Sequence, residues 1–256
     1  MATVFQRTET IGRADGNGTF TVSWWRTTGN DISIMRNQNS INNWPAATAV
    51  NGSFFPTGTP VVNSFHINNG STILPATTSG HGRTDGSENF NQIETRATPF
   101  DFLMDPINRS TNGLVAFGTG GHFPITNRLN GRVLNVSDIR WGIGGLDLDM
   151  ANASFNTRAT FNAGFRWRNI HPGSPLTTTP RTAIGYLGGN ATNTNYIVAV
   201  FSSCQPFDVR NWLRVRGVST FGLMLDGGGS TQARNNGTTV QTSLDNRTVP
   251  TIIAMR

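Results

Sequence analysis

The sequence predicts an α+β chain dominated by β-sheet with few helices, and three observations carry that expectation. Charged residues make up only 13% of the 256-residue chain, and Gly, Thr, Asn and Ser fill the difference, a mix that favours strands and turns. Short apolar or alternating runs recur between turn signals along the whole length. One segment, 205–217, has the apolar face and stop signal of a helix. The length is ample for a core and is read as a single domain over 1–256, with the informative motifs in 45–256 and further strands of the same domain in 1–44.

In chain order, Thr19–Trp25 alternates between Asp15-Gly16-Asn17-Gly18 and Thr28-Gly29-Asn30-Asp31, and Ile32–Met35 is a second strand. Trp24, Trp25 and Trp44 could stack on a sugar, with core packing as the default. The strand 46–50 runs into Asn51-Gly52-Ser53-Phe54-Phe55; two aromatics after Asn-Gly do not suit an exposed turn, so the loop folds back and Asn51 needs buried hydrogen-bond partners. Strands follow at 61–67 and 71–74 about a turn at Asn68-Asn69-Gly70, then a polar loop at 75–92. His81, Asp85 and Glu88 in that loop match no metal-ligand spacing and are read as solvated. Further strands are expected at 93–104, 114–117 and 132–136. Trp141–Leu146 is glycine-rich, and Asp147 and Asp149 beyond it form either a paired-carboxylate site or a solvent-facing strand side. Phe155–Trp167 alternates aromatics with polar residues and reads as a strand. Tyr196–Phe201 is continuously apolar, as a central strand would be. Asp208 falls in the first turn of the helix, which feeds the apolar run Phe221–Leu225, and the chain closes on a buried strand after Pro250.

All 20 basic residues are arginine, and the net charge is +6. They are scattered singly, with no basic run or basic helix, so no nucleic-acid footprint is present. Guanidinium groups suit phosphate or carboxylate recognition, with an anionic polymer or a phosphorylated sugar as an expected partner, or simply make a surface that avoids lysine. No apolar stretch reaches the length of a membrane span, and no signal-peptide core opens the sequence. The single cysteine, Cys204, rules out an intramolecular disulfide and is expected to be buried and inert.

Chemistry concentrates in Leu225-Asp226-Gly227-Gly228-Gly229-Ser230-Thr231-Gln232. A strand ending in a carboxylate, three glycines and two hydroxyls lets backbone N–H groups approach an anion. The plain alternative is a glycine bend capped by Asp226. Pro180-Arg181-Thr182-Ala183-Ile184-Gly185 places Arg181 at the start of a strand, where its fork reaches either an anion or a loop carbonyl.

Taken in order, Asn51–Phe55, Pro180–Gly185 and Leu225–Thr231 resemble the motifs of the phosphodiester glycosidase family, and Gly142–Gly145, the helix and the closing Arg247-x-Val249-Pro250 fit the same order. The resemblance covers roughly 45–256. It implies a β-dominated mixed fold and hydrolysis of a sugar-1-phosphodiester, an α-linked hexose or N-acetylhexosamine, at the anomeric carbon. The motif positions fall on Asn51, Gly52, Arg181, Thr182, Asp226, Gly227, Gly228, Gly229 and Ser230, with Thr231 adjoining. Asp226, Arg181 and Asn51 are then the catalytic candidates: Arg181 and the glycine N–H groups on the phosphate, Asp226 on water or the sugar cation, Asn51 and Ser230 on substrate hydroxyls. No cofactor is expected; Asp226 could ligate a divalent cation, but a lone carboxylate makes no metal site. The substrate class favours an extracellular or cell-surface setting, and a homo-oligomer is allowed. Substrate choice would lie in the unmatched segments 75–92 and 155–170. The competing expectation is a non-catalytic structural, self-assembling or polysaccharide-binding protein on the same fold.

Overall fold

In the apolar run Tyr196–Phe201, successive side chains point to opposite sides, and both sets are buried: Tyr196, Val198 and Val200 on one face, Ile197, Ala199 and Phe201 on the other. A strand covered twice needs a layer on each side, and the chain supplies a second sheet below and helices above. The computed structural model describes residues 5–52, 66–69, 71–72, 112–118, 121–125, 139–164, 177–190, 194–241 and 247–256. The strands are β1 (Phe5–Gly12), β2 (Thr19–Thr28), β3 (Ile32–Arg36), β4 (Thr48–Asn51), β5 (His66–Asn68), β6 (Ser71–Thr72), β7 (Asn112–Gly118) and β8 (Gly121–Ile125). They continue with β9 (Ile139–Asp147), β10 (Thr179–Gly188), β11 (Asn195–Cys204), β12 (Gly222–Met224), β13 (Ala233–Asn235), β14 (Thr238–Gln241) and β15 (Thr251–Met255). The helices are α1 (Arg158–Gly164) and α2 (Pro206–Val215).

The larger sheet has ten strands in the order β1-β2-β11-β10-β12-β9-β5-β6, with the β7–β8 hairpin joined to β9. The smaller runs β14-β13-β4-β15-β3, and every pairing in both sheets is antiparallel. Between the sheets lies a core that includes Trp25, Ile34, Val50, Trp141, Tyr196, Val198, Leu223 and Ile253. Phe161, Phe207, Val209, Trp212 and Leu213 from the helices cover the opposite face of the larger sheet. The outer face of the smaller sheet is closed by Ile41 and Trp44 against Ala49 and Ile252.

Helix α2 forms as its sequence signals indicate. Gln205 precedes it, Pro206 opens it, and the Gln205 N–H donates to the Asp208 carboxylate at 3.0 Å. Gly217 then turns left-handed (φ 95°) to end it. The strands expected at 19–25, 32–35, 114–117 and 196–201 fall within β2, β3, β7 and β11. Trp25 and Trp44 are core residues, and Trp24 packs edge-on to Trp212 at 5.8 Å, so the three form no common platform.

Two expectations need correction. Phe155–Trp167 is not a strand in its described part: residues 158–164 are helical, and the Phe161 ring packs edge-on to Phe155 and tilted against Phe207, with centroids 5.5 and 5.7 Å away. Aromatics spaced by polar residues mimicked a two-residue period, while packing on α2 and the Arg158–Asp208 ion pair (2.8 Å) favour the helix. Asp147 and Asp149 do not share the side of an extended run. The Asp149 N–H donates to Asp147 Oδ1 at 2.8 Å, and Asp149 itself is left-handed (φ 48°). The strands expected at 93–104 and 132–136, the loop at 75–92 with His81, Asp85 and Glu88, and Ser53–Phe55 lie outside the described residues.

Candidate functional site

Strand β12 is short and central, with β10 on one side and β9 on the other. The Leu225 N–H still donates to the Thr182 carbonyl at 2.8 Å, and Asp226 follows immediately. The Gly227 N–H then bonds Asp226 Oδ1 at 2.9 Å. A side chain at 227 would bring its Cβ to 2.8 Å from the Pro180 carbonyl, so glycine is needed where this loop crosses the start of β10. That start is irregular: the β10–β11 register shifts between Thr179 and Arg181, a bulge that re-aims the side chains beside it. A tight helical turn over Gly228–Ser230 brings Ser230 back to hydrogen-bond the Asp226 side chain. The N–H groups of Gly228 and Gly229 open that turn, where a helical N–H has no partner within the turn itself.

Two guanidinium groups act on Asp226, those of Arg247 and Arg181. Arg247 lies over Gly229, where an added Cβ would sit 2.6 Å from its Nη2. Arg181 is buried, and its Nη2 donates to the Thr177 carbonyl at 3.1 Å. Burial pushes the Asp226 carboxyl up to about 6, against the pull of Ser230, the Gly227 N–H and both arginines. Burial likewise lowers Arg181, to about 10, so it stays charged at neutral pH. One carboxylate between two guanidinium groups leaves an excess positive charge, which suits an anion better than a divalent cation. Exposed Thr177 and Thr178 and half-buried Thr179, Gly229 and Arg247 form the solvent side of this cluster.

Behind it stands a polar brace. Asn51 is fully buried; its Oδ1 accepts from Thr182 Oγ1 at 2.6 Å and from the Gln232 N–H at 3.2 Å. Its Nδ2 donates to the Asp226 carbonyl at 2.9 Å and the Gly52 carbonyl at 3.2 Å. Both ends of the amide are thus spent on protein, and Asn51 holds the Asp226 backbone rather than a substrate hydroxyl. Gly52 packs so closely on Thr251 that a Cβ would reach 2.2 Å from its Oγ1, and that hydroxyl shares a 2.9 Å hydrogen bond with His66 Nε2. Gln232 Nε2 donates to the Arg247 carbonyl at 2.6 Å, tying the brace to the second arginine. Thr231 is wholly buried, and its Oγ1 has no hydrogen-bond partner among the described residues.

The chain therefore brings Asp226, Arg181, Gly227, Gly228, Gly229 and Ser230 into one cluster, with Asn51, Thr182 and Gly52 as its support. Sequence reasoning passed over Arg247 as a site residue, although Arg247-x-Val249-Pro250 already stood in the motif order. It also missed Gln232, His66 and Thr251, the last two of which carry no local signal. Asp147 is not part of the cluster: it pairs with Leu223, three residues before Asp226, or about 10 Å of extended chain. Cys204 is buried, and that burial raises its thiol well above the usual range.

No protein-family model matches the sequence, and no curated protein matches it. Solved structures do resemble it. The catalytic domain of zebrafish N-acetylglucosamine-1-phosphodiester α-N-acetylglucosaminidase, auto-inhibited by its pro-peptide, superposes with a TM-score of 0.61 at 15% identity, over 100% of this chain and 83% of that one. A hypothetical protein from Synechocystis has a TM-score of 0.46 at 15% identity, over 99% and 62% of the two chains. A putative exported protein from Burkholderia pseudomallei has a TM-score of 0.50 at 12% identity, over 93% and 74%. At 15% and 12% identity, the likeness to the zebrafish domain and to the Burkholderia protein is one of fold alone.

Proposed function

We propose that this protein is a phosphodiester glycosidase that hydrolyses a sugar-1-phosphodiester at the anomeric carbon. The observation that carries this reading is Asp226, a carboxylate held up to about 6 between Arg181 and Arg247 at the end of a glycine turn. The fold shared with an N-acetylglucosamine-1-phosphodiester glycosidase domain supports it. A phosphate ester leaves as a stable anion, so the reaction needs little of the acid assistance an ordinary glycoside requires. It needs positive charge and N–H donors on the departing phosphate, and a carboxylate near the developing oxocarbenium carbon. Half-buried Arg247 and the N–H groups of Gly228 and Gly229 hold the phosphate, while Arg181 adds charge from behind. Water attacks the anomeric carbon and gives its proton to Asp226. The carbon–oxygen bond breaks, and the phosphate monoester departs with the electron pair. Asn51, Thr182, Gly52 and Thr231 keep the turn in place, and Ser230 orients Asp226. Residues 1–256 act as one domain in this proposal, since β1, β2 and β3 pair within the same two sheets as the motif-bearing strands.

The test is free-sugar release from UDP-GlcNAc and a panel of sugar-1-phosphodiesters. Wild type is expected to turn over at least one of them; Asp226→Asn should lose about 100-fold or more, and Arg247→Ala about as much. A folded Asp226→Asn protein with wild-type turnover would sink the assignment.

A further inference from the structure

Strand β1 is the outermost strand of the larger sheet and pairs with β2 over its full length, from Phe5↔Arg26 to Gly12↔Thr19. No described strand lies on its other side, where Arg7, Thr8, Thr10 and Gly12 are exposed. Such an edge presents a row of unpaired N–H and C=O groups, which proteins usually blunt with proline, lysine or a bulge. Here the register with β2 is unbroken and the strand has no proline; lysine is absent from the whole chain, and the edge's guards are the charges of Arg7 and Glu9.

The charges on this edge constrain how a second copy can align, although the Glu9 carboxylate is already ion-paired with Arg216 of its own chain. Arg7 and Glu9 flank Thr8 and share one face of the strand, the face covered by α2, where Trp212 Nε1 and Arg216 bond the Glu9 carboxylate. When a second β1 lies antiparallel about a two-fold axis at Thr8, each Arg7 stands opposite the other copy's Glu9. Moving that axis by one residue sets Arg7 opposite Arg7, or Glu9 opposite Glu9. Like charges directly opposite are unfavourable, so the pattern selects one register.

We propose that β1 is a self-association edge, where two copies of this chain join β1 to β1 as a two-fold dimer with one continuous sheet. The contact is isologous and closes on itself, so it yields dimers rather than fibres. It is independent of the catalytic reading. Because Cys204 is buried, a cysteine placed on β1 is the reactive thiol of the chain. On mild oxidation Thr8→Cys, which faces its own copy across the axis, is expected to give a disulfide-linked species of twice 27.7 kDa. Thr10→Cys, which faces residue 6, should not. Sedimentation should find wild type dimeric and Arg7→Glu, altered at an exposed position, monomeric. Monomeric wild type at about 100 μM, well above the Kd expected of a stable dimer, would overturn the proposal. So would equal cross-linking of the two cysteine variants, or an assembly that survives Arg7→Glu.

Discussion

Asp226 holds its proton to higher pH than an exposed carboxyl because burial costs the charged form more than Ser230, the Gly227 N–H and two arginines return. Two consequences run in opposite directions. Turnover that needs the carboxylate should fall as pH drops through about 6, which a kcat/KM profile on the best panel substrate would show. Stability should move the other way: the folded state retains the proton between the ordinary 3.8 and about 6, so the burial cost grows over that window and is complete above it. Asp147, raised to about 7 mainly by desolvation, follows the same sign over 3.8 to 7. Asp147→Asn, which keeps an acceptor for the Asp149 N–H, should therefore stabilise the protein at pH 8 by about 2–4 kcal/mol and change little at pH 4. Urea unfolding at the two pH values checks this, and equal effects at both would refute it. Asp226 and Arg181 were legible in the sequence because strand–glycine–hydroxyl and proline–arginine runs are local patterns. Arg247 stood in the motif order but its role was not visible there, and His66 carries no local signal because it reaches the cluster's support only through a tertiary contact with Thr251.

The elements differ in how openly the sequence announces them. Strand β11 is plain because both faces are buried and every position from 196 to 201 is apolar, and α2 is plain because Gln205, Pro206, Asp208 and Gly217 mark its ends. Helix α1 is hidden because it has only seven residues and its cap is an inconspicuous threonine pair: the Thr160 N–H donates to Thr157 Oγ1 at 3.2 Å and the Thr157 N–H to Thr160 Oγ1 at 3.3 Å. The segment before it is held by Arg210, whose guanidinium donates to the carbonyls of Leu148 (3.0 Å), Asn152 (2.9 Å) and Phe155 (2.5 Å), and also to those of Asp149 and Met150. A planar fork with five donors fits this set of acceptors; a lysine ammonium, with three donors at one point, does not. Arg210→Lys should accordingly lose most of what Arg210→Ala loses, about 3 kcal/mol or more in chemical unfolding. Full rescue by lysine would show that only the charge matters. The absence of lysine elsewhere in the chain has no explanation in these contacts.

At the scale of the whole molecule, the smaller sheet is closed by its last strand. β15 lies between β3 and β4, so residues 251–255 pair with residues 32–36 and 48–51. Contacts of such sequence separation slow folding, because loop closure must precede the pairing that rewards it. A chain ending at residue 250 would expose both β3 and β4 and remove Thr251 from behind Gly52. It should lose cooperative unfolding together with any turnover; a sharp calorimetric transition in that truncated chain would contradict the expectation. The same placement governs events during synthesis. A ribosome must deliver residue 255 beyond its exit tunnel before Asn51 and Asp226 can settle into their final relation. The Asp226 cluster therefore reaches its final form only after β15 has left the tunnel, and until then β3 and β4, five and four residues long, each wait with an open edge.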